Sequence, residues 1–447
     1  MILPALLLGL LAAPLTLEEA IRIAQAQDRD VVKAKADLLL IDVERARALA
    51  NVLPRVDLSV QALGNWAVEP LIEQRVPLNN KDVNGYNDIQ VTNPYLDPLF
   101  RNSLTARQLI WDGGRWWAVL TRVDDLEAQR QAALRLVQNN LRLQVVRAFF
   151  DHESAKRGVE AFEERVSAST TQAERAQELL RSGKGSAQDA ANAERNLAED
   201  RLTLARRVFT QRRAARTFNL ALARPADTPF ELILPASINT ATTTAPLKIP
   251  EKSAAEAAAR EHRPELALSR AQLQFLDKNR TIVASDYFPN VSIGGTYSRF
   301  SRRPDRAYAD PTDNFYAGFD LTVRWNLFRG LGTNADVDEV ELQILKAQAD
   351  YQDRERVVLS EVQDRLENLA LQVQSFELAQ SSLRTALEAI HLVRALFGQG
   401  KNTAVELRAA ENAYLRAQLN VIQTRFDLEV ARESLRQAVG VDLLEAP

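Results

Sequence analysis

Among residues that could do chemistry, Ser182-Gly183-Lys184-Gly185-Ser186 comes nearest to a phosphate-binding loop. Such a loop cradles phosphate with backbone N–H groups of a glycine-rich turn between a strand and a helix, completed by a lysine and a hydroxyl residue. Here Glu178 replaces the required first glycine and Gly185 the required hydroxyl residue, and helical sequence precedes the turn. Nucleotide binding is therefore rejected. His152, His262 and His391 lie far apart without metal-ligand spacing and read as surface histidines. The chain has no cysteine, which removes disulfides, thiolate nucleophiles, thiolate metal sites and lipidation on cysteine. Carboxylates are abundant on the helical stretches, yet none is singled out by an apolar setting. No catalytic constellation emerges, so the chain reads as a non-enzyme without a cofactor.

The same glycine-bearing fragment leads to the organisation of the chain, because it occurs twice. Gly183-Lys184-Gly185-Ser186-Ala187 recurs as Gly400-Lys401-Asn402-Thr403-Ala404, and Glu194 falls on Glu411. Leu104-Thr105-Ala106-Arg107 recurs as Leu321-Thr322-Val323-Arg324, and Ile110-Trp111-Asp112-Gly113 as Leu327-Phe328-Arg329-Gly330, all at an offset of about 217 residues. Leu53-Pro54-Arg55-Val56 matches Phe288-Pro289-Asn290-Val291 at an offset of about 235. Only the segment between these blocks differs in length. A duplicated unit suggests a symmetric assembly rather than one catalytic pocket.

Within each copy the period of the apolar residues changes twice. A helix opens at Leu15-Thr16-Leu17-Glu18-Glu19-Ala20, with Thr16 as N-cap and Glu19 three residues on, and runs to about Asn51. Its twin runs from about Ser253, through Arg263-Pro264-Glu265-Leu266, to Asp286. Pro54 and Pro289 remove a backbone donor and force their predecessors towards extended geometry, marking helix-to-strand transitions. Beyond them Val56, Leu58 and Val60 alternate with Asp57, Ser59 and Gln61, as do Val291 and Ile293 with Ser292. Leu104 and Ala106, and the run Phe315 to Trp325, alternate likewise, giving four strands with one apolar and one polar face. Polar loops, Pro70 to Pro98 and Arg302 to Asp313, join each pair. Gly113 and Gly330 mark the return to helix. From there to Ser182 and to Gln399 the chain lacks proline, and Leu359, Val362, Leu366, Leu369, Val373 and Phe376 follow coiled-coil spacing. At 1.5 Å per residue each such helix extends on the order of 100 Å.

Composition bounds the class. Net charge is only −3 with 26% charged residues, so no overall field points to nucleic acid. The apolar run Ile2–Ala13 is too short to span a bilayer and ends in small residues, as a secretory signal does. If the protein crosses a membrane it must do so as strands. Four amphipathic strands cannot stand alone in lipid, because their edges would leave backbone groups unpaired. Closed barrels begin at about eight strands, so other copies must complete the sheet and the polar face then lines a lumen.

These features together resemble the TolC-type outer-membrane efflux channels, over essentially Leu15 to Leu443. The resemblance rests on the Leu15–Ala20 opening, on Arg263-Pro264-Glu265-Leu266, on the proline-led strands and on the paired glycine tips. It implies a mainly α fold with membrane β: a long coiled-coil α-helical barrel in the periplasm, and a twelve-stranded transmembrane β-barrel built from four strands per protomer of a homotrimer. It also implies a periplasmic adaptor, an inner-membrane pump, outer-membrane lipid as surroundings, and the role of exit duct in efflux or type I secretion. The expected organisation is a signal peptide at 1–13, a first repeat at 14–225 with strands about 55–66 and 100–111, and a linker at 226–250. A second repeat spans 251–443 with strands about 289–300 and 314–328, and a tail covers 444–447.

By the same resemblance, Ser182, Gly183, Lys184, Gly185 and Ser186, with Gln399, Gly400, Lys401, Asn402 and Thr403, dock the adaptor; the plainer alternative is that the glycines only stop a helix. Asp189 and Glu406 are the expected acidic residues of the periplasmic entrance, where carboxylates from several chains would filter cations. The alternative is an ordinary solvated helix charge, and Ala409 argues against a second ring. Trp111, Trp116 and Trp117 fit either the lipid headgroup level or the strand-helix junction. A structural coiled-coil scaffold of the envelope is the competing class, and an all-α enzyme a third.

Overall fold

The structure is a computed structural model and describes residues 14–68, 72–77, 86–91, 94–234, 249–301, 305, 315–399 and 401–443, with side chains described outside 65–99. The expected signal at 1–13, the tail at 444–447, the tip residue Gly400, residues 70–71, 78–85 and 92–93 of the first strand-joining loop and most of the second lie outside the described residues. Two compact units are present. One comprises 1–40, 126–273 and 346–447; the other comprises 41–125 and 274–345.

The chain opens with a two-residue strand, β1 (Pro14–Leu15), which pairs in parallel with β6 (Glu231–Leu232). Then comes helix α1 (Leu17–Gln27), on which Thr16 and Glu19 form a capping box, Glu19 N–H donating to Thr16 Oγ1 at 3.3 Å. The single helix expected to Asn51 is two: α1 ends at Asp28 and α2 covers Arg29–Ala50. Asp28 Oδ1 accepts from Asp30 N and Val31 N at 2.9 and 3.0 Å, so a short carboxylate competes with the helix ladder and caps a new helix. The twin breaks in the same way, into α5 (Lys252–His262) and α6 (Pro264–Ala284). Pro264 sits at the first helical position, which pushes Arg263 to an extended ψ of 122°. Buried Arg263 then donates to Gln437 O at 2.8 Å and pairs with Glu361 at 2.6 Å. Gly440, at φ 88°, closes onto this break: an added Cβ would lie 2.7 Å from His262 O.

The second unit contains a four-stranded antiparallel sheet ordered β2-β5-β7-β8. Its strands are β2 (Arg55–Val68), β5 (Pro94–Trp111), β7 (Asn290–Ser301) and β8 (Phe315–Arg324). β2 and β7 each begin one residue after the transition prolines, Pro54 and Pro289. β8 stops at Arg324 rather than near residue 328; Trp325 turns away and its Nε1 donates to Tyr287 O at 3.0 Å. Part of the segment read as a loop from Pro70 to Pro98 pairs as a hairpin, β3 (Ile72–Pro77) with β4 (Tyr86–Val91), and β5 starts earlier than expected. Ile72, Val76, Ile89 and Val91 carry the β-branched bias that the count of polar residues concealed.

From the sheet the chain enters two helical hairpins. The first is α3 (Arg115–Arg181) with α4 (Ala187–Ala221), the second α7 (Gly332–Gly398) with α8 (Ala404–Val439). α3 and α7 have 67 residues each, about 100 Å at 1.5 Å per residue. The first unit has two apolar clusters. One gathers α1 residues such as Ala20 and Ile21 with Phe149, Phe150, Phe218 and Phe426. The other gathers Ala255, Ala259 and Leu266 with Val358, Val362, Leu366, Leu369, Phe376 and Leu435. Four of the six residues of the expected α7 seam are buried; Leu359 and Val373 are half-buried, and Val358 joins them.

Candidate functional site

The hairpin tips are built from backbone rules. Gly183 has a φ of 70°, a conformation that costs an L-residue about 1–2 kcal/mol. Its N–H donates to Leu180 O at 3.0 Å, and Lys184 N–H donates to Leu179 O at 2.9 Å, which is the Schellman closure of a helix C-terminus. Gly185 packs back on α3, where a Cβ would lie 3.0 Å from that of Leu179. At the other tip Lys401 N–H reaches Leu396 O at 3.0 Å, while Gln399 N–H reaches that carbonyl at 3.1 Å. Ser186 then caps α4, accepting from Asp189 N at 3.0 Å, and Thr403 caps α8, accepting from Glu406 N at 3.3 Å. Asn402 stands between Lys401 and that cap.

Asp189 and Glu406 thus have a local task. Asp189 accepts from Ser186 Oγ at 2.7 Å, and Glu406 accepts from Thr403 N at 2.8 Å in a capping box. Both are exposed in the single chain, at the N-terminal turns of α4 and α8, where carboxylates also complement the helix dipole.

At the strand-to-helix junction, the other region singled out in the sequence, glycines and one acid hold the chain. Gly113 and Gly330 have φ of 70° and 60°. At Gly113 an added Cβ would meet Phe288 Cβ and Ser285 O, both at 2.9 Å. Asp286 pairs with Arg115, at the start of α3, and with Arg329 at 3.1 Å. Arg115 also donates to Ser285 Oγ at 2.8 Å. Trp111 packs edge-on against Phe288, and Trp116 against Trp117, while Trp111, Trp117 and Trp325 remain largely exposed.

The sheet itself has the two faces its alternation requires. Val56, Leu58, Val60, Phe319, Leu321 and Val323 project from one side and are exposed in the single chain, Phe319 to 93%. The other side carries Asp57, Ser59, Arg107, Ser292 and Thr322, and buried Ser103 and Ser298 share a hydrogen bond of 2.9 Å across β5 and β7. β2 and β8 are the sheet edges.

Two features contradict the sequence reading. His152 is buried rather than at the surface: it packs edge-on against Phe230, and burial, aided by Lys156, lowers its pKa to about 4. Carboxylates with a buried setting also exist. Between α3, α4 and α8, Asp200 takes both Nη atoms of Arg408 at 2.7 and 2.8 Å, Nε of Arg165 at 3.2 Å, and the Ser169 hydroxyl. Arg165 Nη1 reaches Glu411 at 2.7 Å, and Gln172 donates to the same carboxylate at 3.0 Å. Arg165, Asp200 and Glu411 are all under 10% exposed. A signal existed: Arg165 continues the buried row Phe162, Arg165, Ser169, Ala173, so a charge occupied a seam position.

Known proteins resemble this geometry in part of the sequence and in the whole fold. Residues 257–441 match the family model "Outer membrane efflux protein". The outer membrane protein TolC of Vibrio cholerae is 23% identical over 165 residues, 36% of this chain and 37% of its own, so the match spans little more than a third of that relative. The crystal structure of CusC, described through its transmembrane channel formation, superposes with a TM-score of 0.78 at 15% identity, covering 96% of this chain and 93% of the other. The outer membrane protein VceC of Vibrio cholerae superposes at 0.74 with 14% identity, covering 95% and 96%. The chain therefore has the fold of these solved outer-membrane channel proteins, and its residues 257–441 are similar to the outer membrane efflux proteins.

Proposed function

We propose that this protein is the outer-membrane exit duct of a tripartite efflux or type I secretion system. It would be a passive conduit from periplasm to exterior, coupled to an inner-membrane pump through a periplasmic adaptor. The observation that carries the reading is the sheet β2-β5-β7-β8, whose apolar face is exposed and whose edge strands β2 and β8 have no further partner among the described residues. In water such a face and such edges invite aggregation. In lipid the face is solvated, and the edges are satisfied once three copies join their strands into a closed cylinder of twelve. The polar face then becomes the wall of a lumen. A coiled-coil scaffold leaves that sheet without a purpose.

The hairpin tips supply the partner-facing end in this reading. Residues 182–186, with the left-handed Gly183, and residues 399 and 401–403 face the adaptor, and Asp189 and Glu406 stand one turn behind as the acidic rim of the periplasmic entrance. Their capping bonds hold the carboxylates in place rather than opposing that role.

Extraction and reconstitution test the proposal. The protein should require detergent, run as a homotrimer in it, and conduct ions when added to a planar bilayer. A monomer that dissolves in plain buffer and never conducts would sink the duct and favour the scaffold.

A further inference from the structure

The polar strand face converges on one kind of charge at its helix-proximal end. Arg55 on β2, Arg107 on β5 and Arg324 on β8 border a single cleft of about 320 Å³, with Asn290, Ser292 and Thr322 between them. No carboxylate borders it. Arg55 and Arg107 stand directly opposite each other in the β2–β5 register. Like charges across a strand pair destabilise it, so the sheet tolerates a local penalty here. Of the acids on this face, Asp57 lies 3.5 Å from Arg55. Asp320 accepts from Thr322 Oγ1 at 2.9 Å and leans over Gly294, where an added Cβ would be 2.5 Å from its Oδ1. Arg107 and Arg324 have no ion pair among the described residues.

We infer that Arg55, Arg107 and Arg324 form an oxyanion-receiving belt at the base of the strand lumen, and that the exported solutes carry a carboxylate, sulfate or phosphate group. The inference rests on the reading of the polar face as the wall of a conducting lumen. Guanidinium presents a planar fork that matches such groups in a bidentate way, and it stays charged at any working pH. Rings of arginine favour anions in pores, provided each site holds its ion weakly enough to release it. The exposure of all three side chains meets that condition, since water screens each contact. Each copy joined to the cylinder adds three more guanidiniums to the same level.

Tripolyphosphate applied from the strand side to single channels in a planar bilayer tests the belt. It should block the wild-type current, and the triple change Arg55→Gln, Arg107→Gln, Arg324→Gln should weaken the block at least about tenfold. The charge-keeping triple to Lys should retain most of it. Should the Gln triple fail to trimerise, Arg324→Gln alone, on an edge strand, reads the same quantity with an expected severalfold loss. Equal block in the wild type and a trimeric Gln variant would overturn the belt while leaving the duct intact. A wild type that never conducts would instead overturn the duct reading, and the belt with it.

Discussion

Replacing Asp200 with alanine strands buried positive charge, and the size of the loss follows from the surrounding bonds. Asp200 neutralises Arg408 through two bonds of 2.7 and 2.8 Å and shares Arg165 with Glu411. The side chains of Arg165, Asp200 and Glu411 are 5%, 10% and 6% exposed, and Arg408 is 16% exposed. The four charges cancel; without Asp200 one positive charge remains uncompensated. Removing one partner of a buried pair costs about 3–5 kcal/mol, whereas removing both ends of it is far milder. Asp200→Ala should therefore lower the thermal stability of the detergent-solubilised protein strongly, followed by far-ultraviolet circular dichroism of the helices. Adding Arg408→Met should restore a large part of the loss, with a coupling energy of about 1–3 kcal/mol. The exposed pair Arg195–Glu199, at 2.8 Å on α4, is the control, and Glu199→Ala should cost no more than about 1 kcal/mol. If Asp200→Ala melts like Glu199→Ala, the view of this cluster as a buried, closed network is wrong.

Three further outcomes are expected. Gly113→Ala should cost about 2 kcal/mol or more, since it combines positive φ with contacts of 2.9 Å, while Gly330→Ala, in open space at φ 60°, should cost only about 1 kcal/mol; equal melting shifts in denaturation experiments would contradict this. His152, with a pKa lowered to about 4 against 6.5, binds its proton better in the unfolded chain, so its contribution is intact above pH 6.5 and is lost as pH falls towards 4. That is on the order of 3 kcal/mol in all, and a pH series of melts on His152→Gln should lack this acid-side decline. Gly183→Val disturbs the α3 cap at φ 70° and reshapes the tip, so export in a deletion strain should fall while trimers persist on gel filtration; unaltered export would remove the docking role.

Local pattern alone carries a large share of this molecule. Thr16 and Glu19 announce a capping box, Val56 to Gln61 a two-faced strand, Pro54 and Pro289 the strand starts, and Gly183 a helix stop, because each depends on residues within one turn or one pleat. The break at Asp28 was equally local but hidden, since its carboxylate competes with the ladder inside a stretch of otherwise good helix formers.

What needed the folded chain is everything that joins residues distant in sequence. The order β2-β5-β7-β8 brings Arg55 and Arg107 opposite each other, with Arg324 two strands on, although no spacing in the chain relates them. Arg165 meets Glu411 across 246 positions, and only that contact turns two ordinary-looking helix charges into a buried pair. His152 illustrates the same division: an unremarkable residue on a helix until Phe230 arrives from elsewhere in the chain and removes it from water. Periodicity tells a side chain which way to face, whereas burial and charge state depend on what packs over it, and that is decided between elements rather than within them.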